Sequence, residues 1–436
     1  MLRTRPTSRL RAIADDWRAF AARPYRPFRV LAVTQGVLGS LTGPAIIIPL
    51  LLALGAHPAL ATVLAVLPAA LTMAQRWLPA LLDRTDGNLR GIVVLFATIG
   101  EPRGLYLGAV TAMAALGWIP AWAAIGLIGL LCGVLGAFGA VAYSLQQTWY
   151  QVILPEDERR LVAPRLGGIS LGIGSVILLP IAFTIDAFVD AAGLWAFAVP
   201  LFVAGLAGLG PLVVLRRLPF PGRIRVPRRT AWGDSQQARL RKHGRVMSLA
   251  LLSAGLSPFL SVYAITVLGT GAGFAIAISA VSSATLVLSS FYVSSHLRSG
   301  SSSRLLRRSF VLRAMALGLG LAAHPANPLA PLFLIVMAIV LAAGDAAGQL
   351  SANERLMRLA TGPDVLAFQS HFVVRNIGAY TGGVAASSAV MLLGGYPAFA
   401  ILFVMAAAGR IAAARATDVT DRVRTSEASP AGAATA

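Results

Sequence analysis

Charge, acid and cysteine are all scarce in this 436-residue chain. Charged residues make up 12% of it, about half the share usual in soluble domains. Only 17 residues are Asp or Glu against 37 Lys and Arg, and Lys242 is the one lysine. A water-soluble fold with so little polar surface would expose large apolar patches and aggregate. That excludes a soluble globular protein, and the apolar content excludes a disordered one. The single cysteine, Cys132, allows no disulfide and no Cys-based metal site within the chain. Two motifs are missing as well. Without His-Glu-x-x-His there is no sign of a membrane metalloprotease. Without Gly-x-x-x-x-Gly-Lys-Ser/Thr there is none of a primary pump. The expectation is a non-enzyme with no cofactor and no metal.

What is present is apolar: 57% of residues, with a mean hydropathy of +0.74. The solvent that suits such a chain is lipid, and the fold class is all-α and polytopic. Twelve runs read as membrane spans: 30–54, 59–82, 104–120, 122–149, 166–186, 193–215, 247–268, 272–295, 309–323, 329–350, 368–392 and 395–413. Strands are disfavoured because the runs are long and lack alternation. The third and ninth runs are short. Segment 91–99 is apolar but spans half the hydrocarbon, and Glu101, Pro102 and Arg103 interrupt it. It reads either as an interfacial piece or as a broken start of the third helix. Trp77, Trp118, Trp122, Trp149 and Trp195 fall near span ends, as an interfacial belt requires.

The connections alternate. One set is short and nearly uncharged: Gly55–Pro58, Ile119–Ala121, Asp186–Gly193, Gly269–Gly273, His324–Pro328 and Gly394–Tyr396. The other comprises the N-terminal tail, 83–103, 151–165, 216–246, 298–308, 351–367 and the C-terminal tail. All 37 bases fall in or beside this second set, with Arg76, Arg313, Arg375 and Arg410 just inside helix ends. Positive charge retains loops on the cytoplasmic side, so both termini are expected inside and the span count even. The net charge of +20 therefore reads as membrane orientation and attraction to anionic lipid, with no nucleic-acid partner expected. Arg and Ala bias hints at a bacterial, GC-rich origin and hence a bacterial cytoplasmic membrane.

The domain plan follows: a basic cytoplasmic tail 1–29, a six-helix bundle 30–215, a basic linker 216–246, a second six-helix bundle 247–413 and a disordered cytoplasmic tail 414–436. In the first tail Leu10, Ile13, Trp17 and Phe20 recur at helical spacing. That pattern fits a helix lying on the membrane face, and a merely basic tail fits equally well. The tail lacks the continuous apolar core of a secretory signal. The halves also resemble each other. Arg165-x-x-Gly168-x-x-x-Gly172 opens the fifth helix and Arg375-x-x-Gly378-x-x-x-Gly382 the eleventh, an offset of 210. Leu54-Gly55 and Leu268-Gly269 correspond at an offset of 214. This suggests a duplicated unit, with the glycines packing helices closely where the halves slide. Ordinary tight packing is the alternative.

After the second helix comes Pro79-Ala-Leu-Leu-Asp83-Arg84-Thr-Asp86-Gly87-Asn-Leu-Arg90. This turn resembles the signature of the major facilitator superfamily, Gly, three residues, Asp-Arg, then Gly and bases. It departs in having Pro79 for the first Gly and Asp86 inserted. The resemblance implies a secondary transporter of two six-helix bundles working by alternating access, carrying a small-molecule solute as a monomer. It also implies a cytoplasmic gate of Asp83, Arg84, Gly87 and Arg90, with Arg165 and Arg375 at the mouths of the fifth and eleventh helices. The fourth helix lacks the arginine of proton-coupled drug exporters and the first lacks an acid, so proton–drug antiport is not supported.

Candidate solute-binding residues are the polar groups at membrane depth: Gln35, Tyr143, Gln147, Tyr263, Asp345, Gln349 and Tyr380, with Gln146 and Ser261 nearby. Asp345 stands out, a lone acid among small residues in the tenth helix. An ionisable group in hydrocarbon is costly and marks function. It reads as a proton-coupling or solute-facing carboxylate, or alternatively as a structural ion pair to Arg375. A non-transporting sensor or scaffold on the same fold remains the second reading of the whole chain.

Overall fold

The computed structural model describes residues 26–153, 156–218, 234–256, 258–297, 302–359 and 365–427. Among them are helices and no strand. In the first half, α1 (Arg26–Leu41) and α2 (Pro44–Ala53) form one bent rod. A second rod joins α3 (Pro58–Leu71), a 3-10 turn (Thr72–Trp77) and α4 (Leu78–Arg84). A third joins α5 (Leu89–Gly100) to α6 (Arg103–Ala115), and α7 (Ala121–Ile153), α8 (Glu156–Ala192) and α9 (Trp195–Arg217) follow unbroken. The second half opens with α10 (Asp234–Leu252), a 3-10 turn (Ser253–Leu256) and α11 (Phe259–Thr266). Then come α12 (Ala272–Leu297), α13 (Ser302–Ala322), α14 (Ala330–Leu359), α15 (Val365–Met391) and α16 (Gly395–Glu427). Nine stretches among the described residues are long and apolar enough to cross a bilayer, and α3 is a shorter apolar helix.

Local chemistry explains the breaks. Pro44 and Pro58 start helices where a missing amide costs nothing. The His57 ring accepts from the Ala59 amide and the Asn88 side chain from the Gly91 amide, capping α3 and α5. Gly55 and Gly269, the pair matched by sequence offset, both adopt the left-handed conformation, φ 87° and 65°. Each ends a rod in a turn where a side chain would be strained.

Three expectations change. The third span does not begin at 104, and of the two readings of 91–99 the broken start of the third helix holds: Leu89–Ala115 forms one crossing, interrupted at Pro102, so Glu101 and Arg103 sit at membrane depth rather than in a cytoplasmic loop. The stretch assigned to the linker is helical from Asp234, continuous with the seventh rod. The tail expected to be disordered from 414 stays helical to Glu427, and Thr417 is fully buried. In both places helix propensity and packing carry the helix past the apolar run, which is all that hydropathy reads. The first 25 residues, with the proposed surface helix, lie outside the described residues.

Helix neighbours repeat between the halves. In the first, α1 packs on α8 and α9, α6 on α9, α5 on α7 and α3 on α7. In the second, α10 packs on α15 and α16, α13 on α16 and α14, and α12 on α14. Advancing each rod by six turns the first set into the second. The halves meet along α8 with α12, and along α3 and its 3-10 turn with α15. The same shift maps one contact onto the other. Among the described residues the helices fall into two sets of six rods whose neighbours correspond.

The apolar core is not evenly shared. At the end bearing the short connections one cluster joins both halves, including Leu54, Ile128 and Phe197 with Phe259, Ile276 and Leu334. At the arginine-rich end each half has its own among the described residues: Leu31, Leu89, Val93 and Leu215 in one, Val246, Leu306, Phe310 and Ala413 in the other. Asp186 of α8 reinforces the shared end by accepting from the Gly273 amide at 2.6 Å.

The closest backbone approaches are not at the glycines singled out by the repeat. A Cβ at Gly172 would meet nothing within 4 Å, and at Gly168, Gly378 and Gly382 only ordinary van der Waals neighbours. Gly36 instead lies on the Ser170 carbonyl, Gly104 on Gly205, and Gly255 on Gly383. Without a hydrophobic drive between helices in lipid, such contacts hold the bundle. A side chain at Gly36 must part α1 from α8. Gly36→Val is expected to cost about 1–3 kcal/mol through overpacking, and Gly172→Ala to cost little. Thermal melting of the two purified variants in detergent checks this.

Candidate functional site

Two polar clusters stand inside the bundles, one in each half. In the first, the bend at Pro102 places Glu101 and Arg103 on either side of it. Glu101 is 2% exposed. The Gln35 side chain of α1 hydrogen-bonds it, and Gln35 also donates to Gln146 of α7 at 2.6 Å. Gln146 is fully buried, and its amide nitrogen has no hydrogen-bond partner among the described residues. Arg103 donates through Nε to Thr42 at 2.9 Å, and through Nη1 to the Gly100 carbonyl at 3.3 Å. The break after α1 exposes Thr42, and Gly139 on α7 leaves the slot for the guanidinium: a Cβ there would strike Nη1.

In the second cluster Arg313 of α13 is 5% exposed and pairs with Asp345 of α14 at 2.5 Å. Ser309 accepts twice from the same guanidinium, through its carbonyl at 3.2 Å and its hydroxyl at 3.1 Å. The Phe310 ring lies 5.0 Å from the guanidinium carbon. Gly344 and Gly348 make room for it on α14. Arg410 of α16 is 4% exposed, and its Nε has no hydrogen-bond partner among the described residues. A small pocket within this half is lined by Ser253, Asp345 and Arg410 among leucines. Asp345 and Arg410 each lie fifteen residues into their helices, about 22 Å from the short-connection end.

Arg103 and Arg313 are 210 residues apart, the offset already seen between the fifth and eleventh helices. Each leaves the third rod of its half for a glycine slot in the fourth. Neither was a candidate from the sequence, nor were Glu101 and Arg410. The matching offset was the signal that could have found the arginine pair.

The sequence candidates disperse. Gln35 and Asp345 enter the two clusters. Asp345 pairs with Arg313 and not with Arg375, whose Nε donates to Ser248 at 3.1 Å. Tyr263 is fully buried and donates to the Ala323 carbonyl, packed against Phe399 and Phe403. It is part of the core shared by the halves. Tyr380 is half-buried against the same cluster. Tyr143 and Gln349 are exposed on their helices. Asp83 and Arg84 are exposed at the end of α4, Gly87 in the turn that follows is left-handed at φ 75°, and Arg90 at the start of α5 donates to the Arg216 carbonyl at 2.6 Å. The side chains of Gln147 and Arg165 lie outside the described residues. Trp77, Trp118, Trp122 and Trp195 are exposed, as a belt at the membrane surface would be.

No family model matches the chain, and no curated protein sequence matches it. Solved structures do, over nearly all its length. A POT family transporter in complex with 5-aminolevulinic acid superposes with a TM-score of 0.70 at 12% identity, covering 92% of this chain and 97% of that one. The chain has the major facilitator fold. The nucleoside transporter NupG, as its D323A mutant, gives 0.65 at 14% identity over 91% of this chain and 100% of the other. A D-xylose-proton symporter gives 0.64 at 13%, over 90% and 97%. The composition demanded a multi-pass membrane protein, and the fold is the one that the resemblance of the Pro79–Arg90 turn implied.

Removing one partner of a buried ion pair strands the other charge. Asp345→Asn is therefore expected to destabilise the protein by about 2–3 kcal/mol, under the range for a fully buried pair because Asp345 is one-third exposed. Asp345→Asn with Arg313→Met should recover most of that. A double-mutant cycle by denaturant unfolding in detergent reads the difference.

Proposed function

We propose that the chain is a secondary transporter that carries a small solute across the bacterial cytoplasmic membrane by alternating access, and not an enzyme. The observation that carries this reading is the uneven core. Among the described residues the two bundles share one apolar cluster at the short-connection end and have separate clusters at the arginine-rich end. Bundles that pivot about polar centres need such a difference, because one mouth must close as the other parts. Ionisable groups at membrane depth support the reading, since their cost is tolerated where they serve a path. A sensor on the same fold would have an apolar centre, and Glu101, Arg103, Arg313, Asp345 and Arg410 weigh against it.

The rest of the assignment follows from that reading. Twelve spans are divided as 30–215 and 247–413, joined by the basic linker, with both termini cytoplasmic. The turn Asp83–Arg90 and the α15 arginine Arg375 form the cytoplasmic gate, and the linker arginines meet anionic headgroups. The working unit is a monomer.

Two measurements test this. Solute and dye accumulation is compared between deletion and overexpression strains, with and without a protonophore. A protein-dependent difference in at least one solute is expected, and none across the panel would overturn the reading. Orientation is tested by thiol labelling, which the buried Cys132 leaves nearly free of background. In intact cells His57→Cys should react with an impermeant maleimide and Arg84→Cys should not. The reverse pattern would invert the topology.

A further inference from the structure

Arg410 carries a donor that its own helix and its neighbours leave unmet. Its Nε has no hydrogen-bond partner among the described residues, and the residue is 4% exposed. A buried donor without an acceptor bears its full desolvation cost, and a charged one bears more. The side chain lines a pocket with Ser253 of the seventh rod and Asp345 of α14, and the rest of the wall is Leu256, Leu260, Leu317 and Leu341. The pocket has a volume of about 10 Å³. That is room for one water molecule and for no organic solute.

The polar groups of the wall narrow the choice of occupant. Ser253 gives its hydroxyl proton to the Ala250 carbonyl at 2.8 Å, so toward any further partner its oxygen can only accept. Asp345 receives Arg313 Nη1 on Oδ1 at 2.5 Å. A carboxylate has about four lone-pair positions, so it too can accept more. The pocket thus offers one N–H donor and two acceptors. A small anion would meet the donor but would face the Asp345 carboxylate and the serine oxygen. A cation would face two guanidinium groups. An apolar filling would leave the Arg410 Nε unmet. Water matches the set, because its oxygen accepts from Arg410 Nε and its two protons go to Ser253 Oγ and Asp345. We propose that one ordered water occupies this pocket and bridges Arg410 to Asp345 and Ser253. Asp345 then serves both buried arginines, Arg313 directly and Arg410 through the water. Three rods meet at that molecule: the seventh at its 3-10 turn, Ser253–Leu256, the tenth at Asp345 and the twelfth at Arg410. Gly409 lets α16 come this close to the turn, since a Cβ there would lie 2.8 Å from that of Ser253. A water can rotate and trade partners, so the broken rod is tied to its neighbours without being locked to them. The site holds whether or not the chain carries a solute.

The first test is an experimental structure of the full chain in nanodiscs, at a resolution that shows ordered water. One peak is expected within about 2.6–3.2 Å of Arg410 Nε, Ser253 Oγ and an Asp345 oxygen. Other buried waters resolved with none in this pocket overturns the proposal, and so does Arg410 bonded directly to Asp345. The second test is a double-mutant cycle read by denaturant unfolding in detergent. Ser253→Val fills the pocket and evicts the water. Alone it should raise the unfolding equilibrium constant about five- to thirtyfold. With Arg410→Met, which removes the unmet donor, the same substitution should have an effect at least about fivefold smaller. Equal effects in the two backgrounds would mean that only packing is disturbed, and would overturn the bridge. Arg415→Met, at an exposed base on the same helix, should show no such coupling, and coupling of the same size there also overturns it. Should Arg410→Met fail to fold, the wild-type peak and its loss in Ser253→Val carry the test, and a peak that survives Ser253→Val overturns the site.

Discussion

A guanidinium cannot be left alone in hydrocarbon, and this fold is arranged around that constraint. Arg313 is brought to a carboxylate, a serine hydroxyl and a backbone carbonyl, and Arg103, two residues from Glu101, to a threonine hydroxyl and a backbone carbonyl. Such crowding requires helices to approach more closely than ordinary side chains permit. Glycine on the facing helix, Gly139 for one arginine and Gly344 with Gly348 for the other, provides the space. The breaks in the first and third rods serve the same need. Where Thr42 or Pro102 interrupts a helix, freed carbonyls and hydroxyls become acceptors for the charge.

The repeat shows what has been kept and what has diverged. Helix neighbours map from one half to the other, and so do the arginines of the third and ninth rods with their glycine slots. Their counter-ions do not. Glu101 stands two residues from Arg103 on the same rod, whereas Asp345 reaches Arg313 from the next helix. The first pair is thus local and is fixed by one bend. The second depends on how α13 and α14 pack, so a shift of either helix changes it. The half with the inter-helix pair is also the half with a second buried arginine. Chemical load and mechanical sensitivity coincide in the second bundle.

Much of this was legible in the sequence, for identifiable reasons. Long apolar runs and the split between charged and uncharged connections set the class and the order of the rods. The left-handed turns at Gly55 and Gly269 were legible as a repeated pair. Asp345 was legible because a lone acid among alanines and glycines is too costly in lipid to be incidental. Glu101 and Arg103 were missed because a span is recognised by unbroken hydrophobicity. Here a crossing is built from α5 and α6, each too short alone, with Glu-Pro-Arg between them looking like a loop. Arg313 and Arg410 were placed at helix ends because hydropathy locates the apolar run, not the helix, and both helices continue past it. The partner of Asp345 was misassigned because periodicity says which face a residue is on but not which neighbour that face meets.

The uneven core sets the energetics of any pivot. Parting the short-connection end must expose the cluster around Phe259 and Phe197, and must break the contact from Asp186 to the Gly273 amide at the start of α12. A carboxylate at a helix N-terminus is worth about 0.3–1 kcal/mol when exposed, so the polar latch is weak and easily reversed. The apolar term is proportional to the area wetted and is repaid as the opposite mouth closes and joins the two inner clusters. The two states can therefore lie within a few kcal/mol of each other, although each contains many contacts. A solute tips such a balance only by the difference in its affinity for the two states. That difference must be generated at groups whose surroundings change with the pivot. Asp345 and Arg313, joined across two helices, meet that requirement, and Glu101 with Arg103, fixed on one rod, meets it far less.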